Sequence, residues 1–251
     1  TSLFLGHITL THGARPVPIM SAATMAIMIL CIISLRYTPN ENPVSLNEQQ
    51  GDRKKESIFT FASKYKAFII MTLSVLLAFS FHNMLISYLI HILGDLGGSS
   101  ADLGKALFIA AIFEIPMMLF SNKILRRISA HRLLAFGAFA YVIRGVMMYF
   151  ASSVNILLIS MTLQMLSFAT ITCASVHYAE VMMQEEDKVT GQSLMVLAAS
   201  TSTATGSLSG GLVCDVYGVK NMLIFGTGLS LLAFVVALYS CAMTERKTHT
   251  M

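Results

Sequence analysis

Residues 103–150 read LGKALFIAAIFEIPMMLFSNKILRRISAHRLLAFGAFAYVIRGVMMYF. Two apolar runs, Leu103–Ser121 and Leu133–Phe150, flank a short loop that carries Lys123, Arg126, Arg127 and Arg132. A hydrocarbon core about 30 Å thick takes about 20 apolar residues of helix. The stretch therefore predicts two antiparallel membrane spans joined by a tight, basic turn. Each span holds one ionisable residue near its middle, Glu114 in the first and Arg144 in the second.

Five further windows of the same kind follow outward: roughly Pro16–Leu35, Ala67–Leu93, Val154–Met183, Gly191–Val213 and Lys220–Met243. Composition agrees. The 251 residues are 55% hydrophobic and 12% charged, with a mean hydropathy of +0.70, whereas a soluble domain is about 25% charged. Thirty charged side chains cannot cover a soluble body of this size, and disorder needs the reverse composition. The predicted class is an all-α, polytopic membrane helical bundle whose surroundings are the lipid bilayer.

Most connections are short, but 37–66 is long and polar, with Pro39, Pro43, Gly51 and the run Asp52-Arg53-Lys54-Lys55-Glu56. Basic residues then set the sidedness. Arg36, Arg53, Lys54, Lys55, Lys64, Lys66, Lys123, Arg126, Arg127, Arg132, Lys188, Arg246 and Lys247 fall on one side, and only Arg15, Lys105 and Lys220 on the other. The linker, the 122–132 loop and the C-terminus are expected to be cytoplasmic, in a plasma or inner membrane. The predicted units are a first span within 1–36, a linker 37–66, a six-helix bundle 67–246 and a tail 247–251. The first window lacks a basic lead and is followed by Arg36, so it is no signal peptide. It is expected to be a span whose upstream partners are missing, which makes the chain look truncated.

An ionisable group at the bilayer centre costs several kcal/mol, so each one is a functional candidate. Glu114 and Arg144 lie about eleven residues in from opposite membrane faces, roughly 17 Å deep at 1.5 Å per residue. On consecutive antiparallel helices they can meet, as a switchable coupling pair or as a static salt bridge locking the bundle. Gln164 lies near the midplane of the fifth window, and His82 and Asn83 lie in the outer half of the second. All three suit hydrogen bonding to a polar solute, or plain bonds between helices. His177 and Glu180, spaced i,i+3, are read either as a proton relay or inner gate or as a water-exposed interfacial pair. In the sixth window Ser202, Gly206 and Gly210 share one face, a small-xxx-small pattern that lets backbones approach. The last window, with almost nothing polar, is placed on the lipid side.

Several classes drop out. Cys31, Cys173, Cys214 and Cys241 lie far apart without a C-x-x-C pair, so neither a metal site nor a disulfide framework is expected. Basic tracts with interleaved aromatics are absent, and with them a nucleic-acid surface. There is no H-E-x-x-H and no Walker A sequence, and Gly206–Gly210 has Leu208 where a G-x-S-x-G elbow needs Ser. No enzyme and no cofactor is expected.

The stretch from Phe81 to Asp215 resembles the C-terminal half of a major facilitator superfamily transporter, in the group around galactoside and phenylpropionate permeases. The residues that carry this are Leu93–Ser100, Glu114–Ser121 leading to Leu125–Arg132, Tyr141–Gly145, Val176–Tyr178 and Lys188–Gln192. The basic loop looks like a degenerate copy of the superfamily's short loop motif. The resemblance implies a six-helix half plus one preceding helix, with inverted three-helix repeats that rock around a midplane site against a missing N-terminal six-helix half. Arg144 falls where the galactoside permeases place a mid-helix Arg used in proton coupling, and Glu114 one turn beyond their substrate-binding Glu. Their coupling His and Glu fall on Gln164 and Ser167, a departure from the pattern. The function implied is secondary active transport, proton-coupled uptake of a sugar or other small polar organic solute. A multidrug-type efflux antiporter, and a membrane sensor or assembly subunit of the same fold, are the alternatives.

Overall fold

A computed structural model describes residues 58–249, with side chains over 61–245. The first predicted span, most of the linker and the tail side chains lie outside the described residues. Helix order is α1 (Ile58–Lys64), α2 (Lys66–Ser87), α3 (Leu89–Asp95), α4 (Ser100–Leu125), α5 (Ala130–Tyr149), α6 (Val154–Thr162), α7 (Thr170–Met182), α8 (Lys188–Tyr217) and α9 (Val219–His249). A π turn, Met165–Ala169, joins α6 to α7. Among the described residues there is no strand.

Local chemistry explains the boundaries. The Ser99 amide and hydroxyl both donate to the Asp102 carboxylate, at 3.0 and 2.8 Å, which fixes the start of α4. Gly218, at φ +83°, closes α8, its amide reaching the Cys214 carbonyl at 2.9 Å before α9 begins. α2 and α3 continue one rod past a break at Tyr88.

Besides the short α1, the described helices make six rods, and α2, α4, α5, the α6–α7 rod and α9 are each long and apolar enough to cross a membrane. The 30-residue α8 has the length, but its run Ser200–Thr205 dilutes its apolarity. The main packing partners are α2 with α8 and α9, α5 with α9 and the α6–α7 rod, and α4 with that same rod. Exchanging α2, α4 and α5 for the α6–α7 rod, α8 and α9 leaves this pattern of main contacts unchanged. The two triads are interleaved rather than side by side.

Small residues set the close approaches. Gly206 of α8 lies so near the Ser80 carbonyl of α2 that any Cβ there would collide with backbone. Gly210 likewise faces Met84 and Tyr88. On the other flank of α2, hydroxyls cross to α9: Ser74 donates to the Ala233 carbonyl and Ser240 to the Ala67 carbonyl, both at 2.7 Å.

The last helix corrects the expectation from sequence. Rather than lying wholly toward lipid, α9 buries Gly226, Ser230, Ala233, Ala237 and Ser240 against α2 and α5. Its opposite face, with Leu231, Val235 and Leu238, is exposed. Uniform apolarity hides the division from hydropathy, which shows no preferred side on an all-round greasy helix.

Candidate functional site

Arg144 is the largest fully buried side chain described. It sits in the last third of α5, followed by Gly145, whose missing Cβ leaves room for Thr227 of α9 and the Phe81 ring. A guanidinium without water needs acceptors, since burying an unpaired charge is costly. Its Nη1 donates to Oε1 of Gln164, and Nη2 lies 2.9 Å from the Met161 sulfur. Gln164 Nε2 in turn donates to Glu114 Oε1 at 2.8 Å. Three rods thus meet through one amide.

This corrects the expected direct pair. Glu114 and Arg144 form no ion pair with each other; Gln164 stands between them and bonds to both. The π turn starts immediately after Gln164. Its Ala169 amide reaches back five residues to the Gln164 carbonyl at 3.2 Å, and the Thr170 hydroxyl reaches the Met165 carbonyl at 2.9 Å. Such widened turns are frequent at functional sites.

His82 comes from α2 and stacks on Phe168 of the π turn, with ring centroids 4.3 Å apart and planes 19° apart. Tyr141, one turn before Arg144, packs 6.0 Å from both His82 and Phe81. Three buried polar atoms here have no hydrogen-bond partner among the described residues: His82 Nδ1, the Tyr141 hydroxyl and Arg144 Nε. Buried polar groups are nearly always satisfied, so the cluster has spare hydrogen-bonding capacity, most of it in donors.

The other sequence candidates lie elsewhere. Asn83 follows His82 by one residue and so points about 100° away around the helix. Its amide bonds to the Phe79 carbonyl at 2.9 Å and to the Ser202 hydroxyl of α8 at 3.1 Å. His177 and Glu180 lie 3.9 Å apart on α7 with exposed side chains, thirteen residues beyond Gln164 or roughly 20 Å along the helix. Sequence reasoning missed Tyr141, Met161 and Phe168. The first could have been found from its i,i+3 spacing to Arg144, the other two only from the fold. No three His, Cys, Asp or Glu side chains converge as metal ligands among the described residues.

Comparison with known proteins gives one family. No curated protein matches the chain. A family model described as the MFS_1 like family matches residues 1–225. The five apolar spans among the described residues agree with a membrane transporter of that kind. The chain is an integral membrane protein that belongs to the MFS_1-like family of major facilitator-type transporters.

Proposed function

We propose that this chain works in a secondary active transporter that takes up a sugar or other small polar organic solute with a proton, by alternating access. The observation that carries the reading is the Gln164 bridge between half-buried Glu114 and fully buried Arg144. A carboxylate that can be protonated, tied through a neutral amide to a permanent cation, changes the charge of the cluster when it takes up a proton. The unpartnered atoms of His82, Tyr141 and Arg144 are the groups that would bind hydroxyl or carboxylate oxygens of a solute. Asn83 and the exposed hydroxyls of α8 extend that surface, and His177 with Glu180 supplies the inner gate.

In this reading residues 67–246 form one six-helix half, approached through the first span and the polar linker. A second six-helix half facing it completes the cavity. The linker and C-terminus are cytoplasmic, and the nearest functional likeness is the galactoside and phenylpropionate permease group.

Glu114→Gln in a transporting assembly tests the coupling. Accumulation against a gradient should be lost while solute exchange down its gradient continues. Undiminished accumulation by a normally folded variant would remove Glu114 from the coupling step.

A further inference from the structure

A groove of about 480 Å³ runs between α5 and α9, away from the Arg144 cluster. Its walls are apolar, formed by Phe136, Phe139, Phe234 and Leu238, with the Phe139 and Phe234 rings 5.2 Å apart. One end is ionic. There Arg132 donates through Nε and Nη2, at 3.0 and 2.7 Å, to a single oxygen of Glu245. Nη1 has no partner among the described residues, and the Arg132 side chain is 67% exposed. From Arg132 to Phe139 the groove descends roughly 10 Å along the helix. Next to its mouth, the last turn of α4 and the loop after it present Lys123, Arg126 and Arg127, all exposed.

We propose that this groove is a binding site for an anionic glycerophospholipid, with an acyl chain against the phenylalanines and the phosphate on Arg132. Both walls belong to helices apolar enough to cross a membrane, so hydrocarbon is the medium that reaches the groove. The charge sits only at the helix ends, where a headgroup lies. Basic pockets between spans at a membrane face select anionic headgroups in this way. Glu245 acts as the built-in competitor: the phosphate takes Arg132 in its place. The Arg132–Glu245 contact therefore opposes lipid binding instead of assisting it.

The competition makes the test two-sided. Full-length protein is reconstituted in bilayers of mixed phosphatidylglycerol and phosphatidylcholine, and the lipids retained after extraction are counted by native mass spectrometry. Wild type should retain phosphatidylglycerol several-fold over its share of the mixture. Arg132→Gln should bring retention to that share, whereas Glu245→Gln should raise it above wild type. Phe139→Trp, which fills the groove, should reduce retention of both lipids alike. Equal retention of the two lipids by wild type would overturn the proposal. So would Arg132→Gln and Glu245→Gln shifting retention in the same direction, the result for a salt bridge that only holds α5 to α9.

Discussion

Gln164 donates to Glu114 and accepts from Arg144 with the two ends of the same side-chain amide. The amide satisfies both ions while keeping them from neutralising each other directly. Gln164→Leu removes an acceptor from a fully buried guanidinium and a donor from the carboxylate. Leaving a buried charge uncompensated costs about 3–5 kcal/mol. Thermal unfolding in detergent should record a loss of that order, and a loss under about 1 kcal/mol would mean the bridge is incidental.

Tyr141 offers the opposite behaviour. Its hydroxyl is buried and unpartnered, so Tyr141→Phe deletes a polar atom that contributes nothing to the fold as it stands. Stability should hold or rise by up to about 1 kcal/mol. Solute affinity should fall about three- to tenfold if the hydroxyl binds solute. Equilibrium binding beside a melting curve separates the two, and unchanged affinity would take Tyr141 out of the site.

Two glycines give a controlled contrast on packing. Gly206→Ala drives a methyl into the Ser80 carbonyl, and overpacking of this kind costs about 1–3 kcal/mol. Gly228 has nothing within 4 Å of where its Cβ would stand, so Gly228→Ala should be neutral or gain up to about 1 kcal/mol of helix propensity. Equal effects from the two substitutions would contradict the α2–α8 approach.

At the basic end, Lys64 donates to Asp187 at 2.8 Å, and Tyr65 donates to the same carboxylate oxygen at 2.7 Å. The Asp187 hydrogen bond, first among the causes, holds the Lys64 ammonium above its ordinary value of 10.5. For a group raised in the folded state, the contribution is complete below the unfolded value and is lost as pH climbs through the folded one. The melting-temperature difference between wild type and Lys64→Met should therefore be steady around neutral pH and close only in strong alkali. A difference that vanished near pH 8 would show that the link does not hold α1 to the α7–α8 turn.

The rods were readable because each is a long apolar run between charged or glycine-bearing turns. Ser99, Asp102 and Gly218 mark boundaries that the windows place within a few residues. Contacts were harder to read. Glu114 and Arg144 were legible as costly exceptions, but the amide between them depends on where Gln164 points. That direction follows from a π turn whose sequence, Met165-Leu166-Ser167-Phe168-Ala169, contains no proline or glycine to announce it. For α9 a signal did exist. Gly226, Ser230, Ala233, Ala237 and Ser240 recur at alternating four- and three-residue steps, a small-residue stripe that marks the packed side.

One surplus residue in the turn at Met165–Ala169 has a consequence that goes beyond Gln164. Each residue of a regular helix advances the side-chain direction by about 100°. In the π turn about five residues cover the angle that about four cover in a regular helix, so the surplus residue is absorbed and α7 keeps its face toward the bundle. Removing a single residue there, Leu166 for instance, would close the turn to a regular helix. Tyr178 and Ala174, now buried, would stay buried, while the widened turn beside Gln164 would be lost. Here the rod absorbs a deletion that elsewhere along it would rotate everything beyond.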